Sequence, residues 1–440
     1  MAGRFFAVGL FFVVAALWAQ TDAGALTLTR EECVERALRT DIALQRKAVD
    51  KETARVSAAN LWSEFFPAVS VGASLAYEDA VPKSRKTFPD DATYGVPLDV
   101  TLTLSSVLPV PLNMRIAKLA YETRLLDWQT EQRAVRVRVS QGFFKLLVEE
   151  ESVALLEETL AIAERQLAKD ETQFRSGLAN ELSVLRSRLS VENARYAVDK
   201  ARRDRRQNIG TFLSAAGFTD EEMSGKEIRL TGTVEIEPLT LDADRLIEEF
   251  LPKRPDMVSA VAEIERLELT ASRTFLSQRG PEVSLSGTYR GNLAGGTLGT
   301  ENQPFAGNLS ARLSVSVPLD SWIPGTKGAQ AVSSAQAEVE KARLNLQSVR
   351  QSAANSIRSI VENMQSTLSS IEIARLRAEI AERTYRMSEA AFERGAMEML
   401  DYENARASWA QSRQDLLKER LAYKNLTLDL ERELNADSLQ

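Results

Sequence analysis

Apolar and polar residues alternate strictly in four short segments of the chain, and long helical patterns lie on either side of them. In the segment 309–317, apolar residues alternate with serine and arginine, which is typical of a strand with one polar face. The segments 69–77, 96–104 and 283–289 show the same alternation. Prolines bracket the strand pairs, at Pro67, Pro109, Pro281 and Pro318. The pattern predicts two β-hairpins, at 68–108 and 282–318.

The helical patterns that follow the two hairpins match each other in register. Apolar residues step by seven along both patterns, at Leu146, Val153, Leu160, Leu167 and Phe174 in the first and at Met364, Ile371, Ala378, Tyr385 and Phe392 in the second. Each member of the second set lies 218 positions after its counterpart, and Gly177 and Gly395 keep the same offset (395 minus 177). A fixed offset of this kind indicates an internal duplication, with a seven-residue apolar seam typical of a coiled coil.

The duplication predicts two structural repeats that share one body. The predicted divisions are a first repeat at 26–217, an irregular linker at 218–241, a second repeat at 242–434 and a polar tail at 435–440. Each repeat would contain a helix, a β-hairpin and a coiled-coil hairpin, with tips near 177 and near 395 where glycine permits a left-handed helix end.

Local signals refine these divisions. The capping box Thr29–Glu32 predicts a helix start, and we expect that helix to run to about Phe66. Within the linker, the segment 228–236 reads as a strand. In Arg254-Pro-Asp256 the proline removes a backbone donor, so we expect the helix from Asp242 to be interrupted or restarted there.

The N-terminal residues 1–25 are interpreted as a secretory signal peptide. Arg4 precedes an apolar run from Phe5 to Ala19, which is shorter than a membrane span of about 20 residues. An uncleaved anchor is the alternative. The context of Cys33 does not support a lipid anchor. Because no later stretch would span a bilayer as a helix, an exported chain in a membrane would have to be there as a barrel. The strands alone would also fit a soluble sandwich, but the signal peptide and the long helices favour the barrel.

Composition narrows the classes of function. The chain has 440 residues, a net charge of −7, no histidine and one cysteine. Without histidine, histidine-based catalysis and most zinc sites are excluded, and a single cysteine excludes a disulfide framework. No basic patch with interleaved aromatics points to nucleic acid. We therefore expect no catalytic residues, no enzyme activity, no metal and no cofactor.

Several motifs in this order resemble the TolC-like outer-membrane efflux proteins, the outer membrane factor family. They are the start Leu26-Thr-Leu-Thr29, the prolines Pro67 and Pro281, the sequence Arg254-Pro-Asp256, the tips Phe174-Arg-Ser-Gly-Leu178 and Phe392-Glu-Arg-Gly395, and Asp401 with Ala405. Each motif is weak alone, but their order, spacing and duplication are specific, and the resemblance covers the whole mature chain.

The resemblance implies a mainly helical protein with a membrane β-domain. Three protomers would give four strands each to one twelve-stranded outer-membrane β-barrel, which continues as an α-helical barrel in the periplasm. The implied function is the exit duct of a tripartite efflux or type I secretion system. It would passively conduct substrates from an inner-membrane pump and a periplasmic adaptor to the outside, with outer-membrane lipid around the barrel.

The resemblance also assigns candidate site residues at the helix tips. Asp401, with Glu398, Glu403 and Asn404 nearby, would form the periplasmic gate, where a threefold axis turns each carboxylate into a cation-attracting ring. The position equivalent to Asp401 in the first repeat is Ser183, so the ring would come from one repeat only. The adaptor would dock on the tip residues Arg175, Gly177, Leu178, Arg394 and Gly395. The alternatives for Arg175 and Arg394 are that they hold the closed state by pairing with a neighbouring chain, or that they are ordinary surface residues.

Two other readings remain open at this point. A solvated helix face would explain the acidic residues without a gate, because acidic residues are frequent throughout these helices. For the whole chain, the alternative is a periplasmic coiled-coil structural or adaptor protein of the cell envelope. Membrane fractionation discriminates between the two functions, because a periplasmic rod would be released by osmotic shock.

Overall fold

The computed structural model describes residues 25–73, 76–78, 93–104, 109–178, 180–223, 226–297 and 307–436. The signal peptide, predicted at 1–25, lies outside the described residues up to 24. The loop regions 79–92 and 298–306 and the final residues 437–440 of the predicted tail lie outside them as well.

The described helices reproduce the predicted offset between the two halves. They are α1 (Arg30–Thr40), α2 (Ile42–Asn60), α3 (Val110–Arg175), α4 (Glu181–Ala215), α5 (Asp220–Met223), α6 (Ala243–Phe250), α7 (Pro255–Arg279), α8 (Lys327–Glu393) and α9 (Met399–Leu434). The ends of α3 and α8 are 218 positions apart, as are the starts of α4 and α9. Within the described residues, no helix combines the length and apolar content that a membrane-crossing helix needs.

The strands form two sheets. They are β1 (Ala25–Leu28), β2 (Ala68–Ala73), β3 (Ala76–Glu78), β4 (Thr93–Leu104), β5 (Glu227–Leu230), β6 (Glu282–Thr297) and β7 (Gly307–Ser316). The larger sheet is antiparallel in the order β2-β4-β6-β7, with β3 also paired to β4. The smaller sheet pairs β1 with β5 in parallel.

The larger sheet has one apolar and one polar face. On the apolar face Leu285 pairs with Leu313, and Val283 pairs with Val315. All four of these side chains are exposed. On the other face Arg290 Nε donates to Asp99 Oδ1 at 2.6 Å, and the hydroxyls of two cross-strand serines lie 2.7 Å apart. The predicted alternation is thus confirmed, and its apolar side has no cover within the described chain.

The first helix breaks earlier than the sequence suggested. The expected helix from Thr29 to about Phe66 ends at Thr40 and restarts at Ile42, because Asp41 is extended (φ −61°, ψ 121°) and its carboxylate accepts from Arg138 Nη1 at 3.2 Å. A 3₁₀ turn then spans Leu61–Phe65.

Two other local expectations meet different outcomes. The interruption at Arg254-Pro-Asp256 is confirmed, since a 3₁₀ turn at Leu251–Lys253 separates α6 from α7, which begins at Pro255. The linker strand is shorter than expected, because β5 ends at Leu230.

The chain divides into two compact units. The hairpin unit comprises the described residues up to Asp41, with 138–236 and 370–424. One cluster of its apolar core lies between the long helices, at Leu155, Ile162, Ala381, Tyr385, Tyr402 and Trp409. The sheet unit comprises 42–137, 237–369 and the residues from Asn425 onward.

One buried arginine ties the sheet unit together. The Arg254 guanidinium donates to Asp256 Oδ2 at 2.8 Å and to Glu433 Oε2 at 2.6 Å. Burial opposes the charged form, but these hydrogen bonds raise the pKa of Arg254 above its ordinary value. The Arg-Pro-Asp sequence therefore both restarts α7 and anchors its first turn to the end of α9.

Candidate functional site

The candidate site lies at the tips of two helical hairpins in the hairpin unit. We name the α3–α4 pair the first hairpin and the α8–α9 pair the second hairpin. Gly177 and Gly395 both have φ of +72°, a left-handed conformation that favours glycine. At the first tip Leu178 N–H donates to Gln173 O at 2.8 Å, and at the second Ala396 N–H donates to Ala391 O at 2.9 Å. Both tips are therefore Schellman ends with the same backbone geometry.

The tip side chains face solvent. Arg175, Leu178 and Arg394 are exposed, and Leu178 retains 80% of its accessible surface. Arg175 Nε makes only a local bond, to Glu171 O at 3.3 Å. Together with the two glycines, the tips therefore present two cations and one apolar side chain, free of tertiary partners among the described residues.

The predicted gate residues lie at the start of α9. Glu398 directly precedes the helix, and Asp401 is its third residue. Asp401 and Asn404 are exposed and three residues apart, so they share one helix face. Glu403 points elsewhere: it is half-buried, and its Oε1 is shielded without a hydrogen-bond partner among the described residues. The structure thus brings Asp401 and Asn404 together and separates Glu403 from them.

A ladder of four aromatic rings, which the sequence reasoning missed, holds the start of α9 against α8. Phe392 stacks on Tyr402 at 5.0 Å and 11°, and Tyr385 stacks on Trp409 at 5.2 Å and 15°. The two tyrosine rings lie 6.0 Å apart. A signal was present, because Tyr385–Phe392 and Tyr402–Trp409 are both seven residues apart. The ladder fixes the turn of α9 that carries Asp401.

The ladder also changes the acidity of its tyrosines. Burial, followed by the hydrogen bond with Tyr402, raises the pKa of the Tyr385 hydroxyl above its usual range. That hydroxyl lies 3.1 Å from Glu389 Oε1, to which it donates. Burial likewise raises the pKa of Tyr402. Both rings therefore stay neutral at physiological pH, and the acidic residues at the tip have no phenolate behind them.

The first hairpin is fastened differently. Its positions equivalent to the ladder hold Leu167, Phe174, Val184 and Val191. Phe174 remains 46% exposed. Instead, the buried carboxylate of Asp170 accepts from Gln166 Nε2 at 2.9 Å and from the buried Ser187 hydroxyl. A polar pair therefore joins α3 to α4 where aromatic rings join α8 to α9.

Two apolar stripes of the hairpin unit lie exposed. Leu182, Leu185, Leu189 and Tyr196 form one on α4, and Ile373, Leu376, Ile380 and Met387 form the other on α8. Both stripes repeat at three- and four-residue intervals, which is the spacing of a coiled-coil seam. Contiguous exposed apolar surface of this kind marks an interaction face.

Comparisons with known proteins identify a family and a set of structures with a similar fold. A family model described as outer membrane efflux protein matches residues 34–217 and 246–436. Among solved structures, CusC is similar at TM-score 0.77 and 16% identity, covering 92% of this chain and 92% of that one. The Campylobacter jejuni outer membrane channel CmeC is similar at TM-score 0.76 and 16% identity, covering 92% and 85%.

The Vibrio cholerae outer membrane protein VceC is similar at TM-score 0.72 and 16% identity, covering 93% of this chain and 97% of that one. At these identities the likeness to solved structures concerns the fold alone. A search of curated proteins found no match. The family model matches one segment in each half of the chain, with the offset hairpins inside both segments.

Proposed function

This chain belongs to the outer membrane efflux protein family, and from that premise we propose that it is the outer-membrane exit duct of a tripartite efflux or type I secretion system. The duct conducts substrates passively to the outside. The observation that carries the proposal is the combination, in one chain, of a sheet with an exposed apolar face and paired helical hairpins with glycine tips. The apolar face suits lipid, and the hairpins suit the periplasmic part of a duct.

The duct requires more than one copy of the chain. Within the described residues β2 and β7 are the outer strands of the sheet, and each has one unpaired edge. Four strands in sequence are too few to close a barrel around a channel, so we propose a homotrimer with a twelve-stranded barrel. The exposed stripes on α4 and α8 support the same assembly, because in a closed ring one stripe can meet the other on the next protomer.

We assign the periplasmic gate to Asp401 and its neighbours. Asp401 makes no ion pair with any described residue, so its charge is available to a pore. Three carboxylates about 6 Å apart around an axis would repel by about 3 kcal/mol per pair at an effective dielectric near 20. A bound cation relieves that repulsion. Glu398 and Asn404 would line the same constriction, whereas the half-buried Glu403 would act from behind it.

The tips themselves are the proposed docking surface for a periplasmic adaptor, which connects the duct to an inner-membrane transporter. Arg175, Leu178 and Arg394 are exposed, and the left-handed turns at Gly177 and Gly395 keep the tips compact. A partner with acidic side chains and a small apolar pocket would complement them.

Conductance in planar bilayers tests the duct and the gate together. We expect the wild-type trimer to form cation-selective channels that trivalent cations block, and Asp401→Asn to weaken selectivity and block without loss of the trimer. Removing three carboxylates from a constriction of this kind lowers cation affinity about tenfold or more.

Glu181→Gln provides the matched control. Glu181 is an exposed carboxylate in the first turn of α4, as Asp401 is in the first turn of α9. Channels in which both variants behave as wild type would show that Asp401 is an ordinary solvated carboxylate. A protein that forms no channels and runs as a monomer in native mass spectrometry would refute the duct itself.

A further inference from the structure

An arginine at the helical end of the large sheet lies against two aromatic rings. Arg279 is the last residue of α7, three residues before β6 begins. Its Nε donates to Ser321 O at 3.1 Å. Its guanidinium carbon lies 5.1 Å from the centre of the Trp322 ring and 5.7 Å from that of Phe275. These contacts hold the guanidinium in one orientation before any ligand arrives.

The charge of Arg279 is not balanced by an acidic neighbour. Other arginines of the sheet unit pair with carboxylates: Arg115 with Glu265, Arg343 with Glu268 and Arg358 with Asp244. Arg279 has no such partner in the part of the chain that the structure describes. A preorganised cation without a counterion is suited to a bidentate anion.

The guanidinium faces an open cleft of about 460 Å³. The cleft's polar groups are those of Arg279, Trp322, Gln330, Ser333 and Ser334. Each of these side chains carries a hydrogen-bond donor, and no carboxylate lines the cleft. The first turn of α8 forms one wall, so the positive end of that helix dipole adds to the same potential. A cleft of this size and lining suits a phosphate group with part of its ester.

The surroundings of the cleft are apolar. Leu319 is 72% exposed, Ile323 59% and Trp322 54%. They follow directly after β7, which ends at Ser316 opposite Glu282, the first residue of β6. The cleft therefore lies where the apolar sheet face stops and the helices begin. Such a place suits a ligand with an anionic head and hydrocarbon tails.

We propose that this cleft binds the phosphate of a membrane phospholipid, with Arg279 as the main ligand. The inference rests on the proposed function, because it requires the sheet to lie in lipid. The first half has no equivalent arginine: counting from Pro67 and Pro281, the position of Arg279 is occupied by Phe65. The phospholipid would anchor the β6–β7 hairpin of each protomer at the periplasmic boundary of the membrane.

The test compares lipid binding by three full-length variants, solubilised and stripped of lipid. Each is titrated with phosphatidylglycerol and followed by native mass spectrometry. Arg279→Gln should weaken binding about tenfold or more, because it removes a charged hydrogen-bond donor. The lipid affinity of Arg279→Lys should lie between those of wild type and Arg279→Gln. Arg273→Gln, which removes an exposed charge from the same helix, should bind as wild type.

A second pair guards against misfolding of the Arg279 variants. Gln330 is exposed on α8 within the cleft, so Gln330→Glu places a negative charge there without disturbing the core. It should weaken phospholipid binding at least as much as Arg279→Gln. Gln347→Glu, exposed further along the same helix, should not.

Two additional ligands separate the possible sources of binding. If inorganic phosphate binds with the same affinity as phosphatidylglycerol, the cleft is a site for soluble anions. If diacylglycerol, which lacks the phosphate, binds with that same affinity, the cleft is only an apolar surface. Either result, or equal binding by wild type, Arg279→Gln and Gln330→Glu, overturns the proposal. Conductance of the same preparations distinguishes failure of the lipid proposal from failure of the duct proposal. Loss of specific phospholipid binding with unchanged channel conductance would refute only the lipid site. Specific phospholipid binding by a protein that forms no channels would refute only the duct.

Discussion

The first and second hairpins have the same backbone geometry at the tip, but different side-chain contacts join their helices. Both end in a Schellman turn at a glycine with φ of +72°. Behind the tip, however, Asp170 and Ser187 join the first pair of helices, and a ladder of aromatic rings joins the second. The comparison teaches that duplication preserved the turn geometry while the side chains diverged. The hairpin that is joined by aromatic rings carries the proposed gate.

The largest expected effect is the removal of a rung from the ladder. Trp409→Ala should lower the local stability of α9 by about 3–5 kcal/mol, because it leaves a large cavity between helices. The equivalent Val191→Ala in the first hairpin should cost only about 2 kcal/mol. Hydrogen exchange of the α9 and α4 amides measures both. Equal losses would mean that the ladder adds nothing beyond ordinary apolar packing.

The polar fastening should break with a smaller effect. Asp170→Ala leaves the buried Ser187 hydroxyl without its acceptor and should destabilise the first hairpin by about 2 kcal/mol. Ser388 occupies the position in the second hairpin that is equivalent to Asp170, and it is also buried. Its change to alanine should cost only about 0.5–1 kcal/mol of stability. Exchange protection of the α4 amides near Ser187 and of the α9 amides near the equivalent Ala405 would report the difference. A larger loss in Ser388→Ala than in Asp170→Ala would reverse the comparison.

The shared tip geometry predicts matched effects. Gly177→Ala and Gly395→Ala each force a side chain into a left-handed conformation, at a cost of about 1 kcal/mol. No other atom stands in the way of a Cβ at either glycine, so the cost is one of backbone strain alone. Thermal melting of the two variants should agree within error. A clear difference would show that the tips are not equivalent.

The smallest effect is a dependence on alkaline pH that belongs to the second hairpin. The folded pKa of Tyr385 lies above its ordinary value of 10.0. The protonated ring therefore contributes stability that is complete below pH 10 and is lost as the pH rises from there toward the folded pKa. Melting at pH 9 and pH 11 should show a larger drop in wild type than in Tyr385→Phe. The same drop in both would assign the pH dependence to other groups.

The sequence predicted the framework of this molecule because the framework depends on local and periodic signals. The fold class is confirmed, with two helix–hairpin–long-helix halves at an offset of 218. Glycine at the tips and proline at the strand ends act through backbone geometry alone, so single residues were enough to place them. The role of Asp401 and the docking role of Arg175 and Arg394 stay predictions.

What the sequence did not predict depends on contacts between distant residues. The pairing of Asp170 with Ser187 requires the register of two helices, and the pairing of β1 with β5 joins segments about 200 residues apart. The helix break at Asp41 depends on Arg138, which lies on another helix. The Arg279 cleft depends on two aromatic rings from different elements. Periodicity within one segment does not contain these pairings.

The parallel pairing of β1 with β5 sets an order of events during export. Four backbone pairs, from Ala25 opposite Glu227 to Leu28 opposite Leu230, join the start of the described chain to its middle. Closing a loop of that length is slow and entropically costly compared with zipping adjacent helices. The first helical hairpin can therefore form while the second half is still crossing the inner membrane. β1 stays unpaired until β5 has crossed. The small sheet can therefore be completed only after about half of the chain has been delivered.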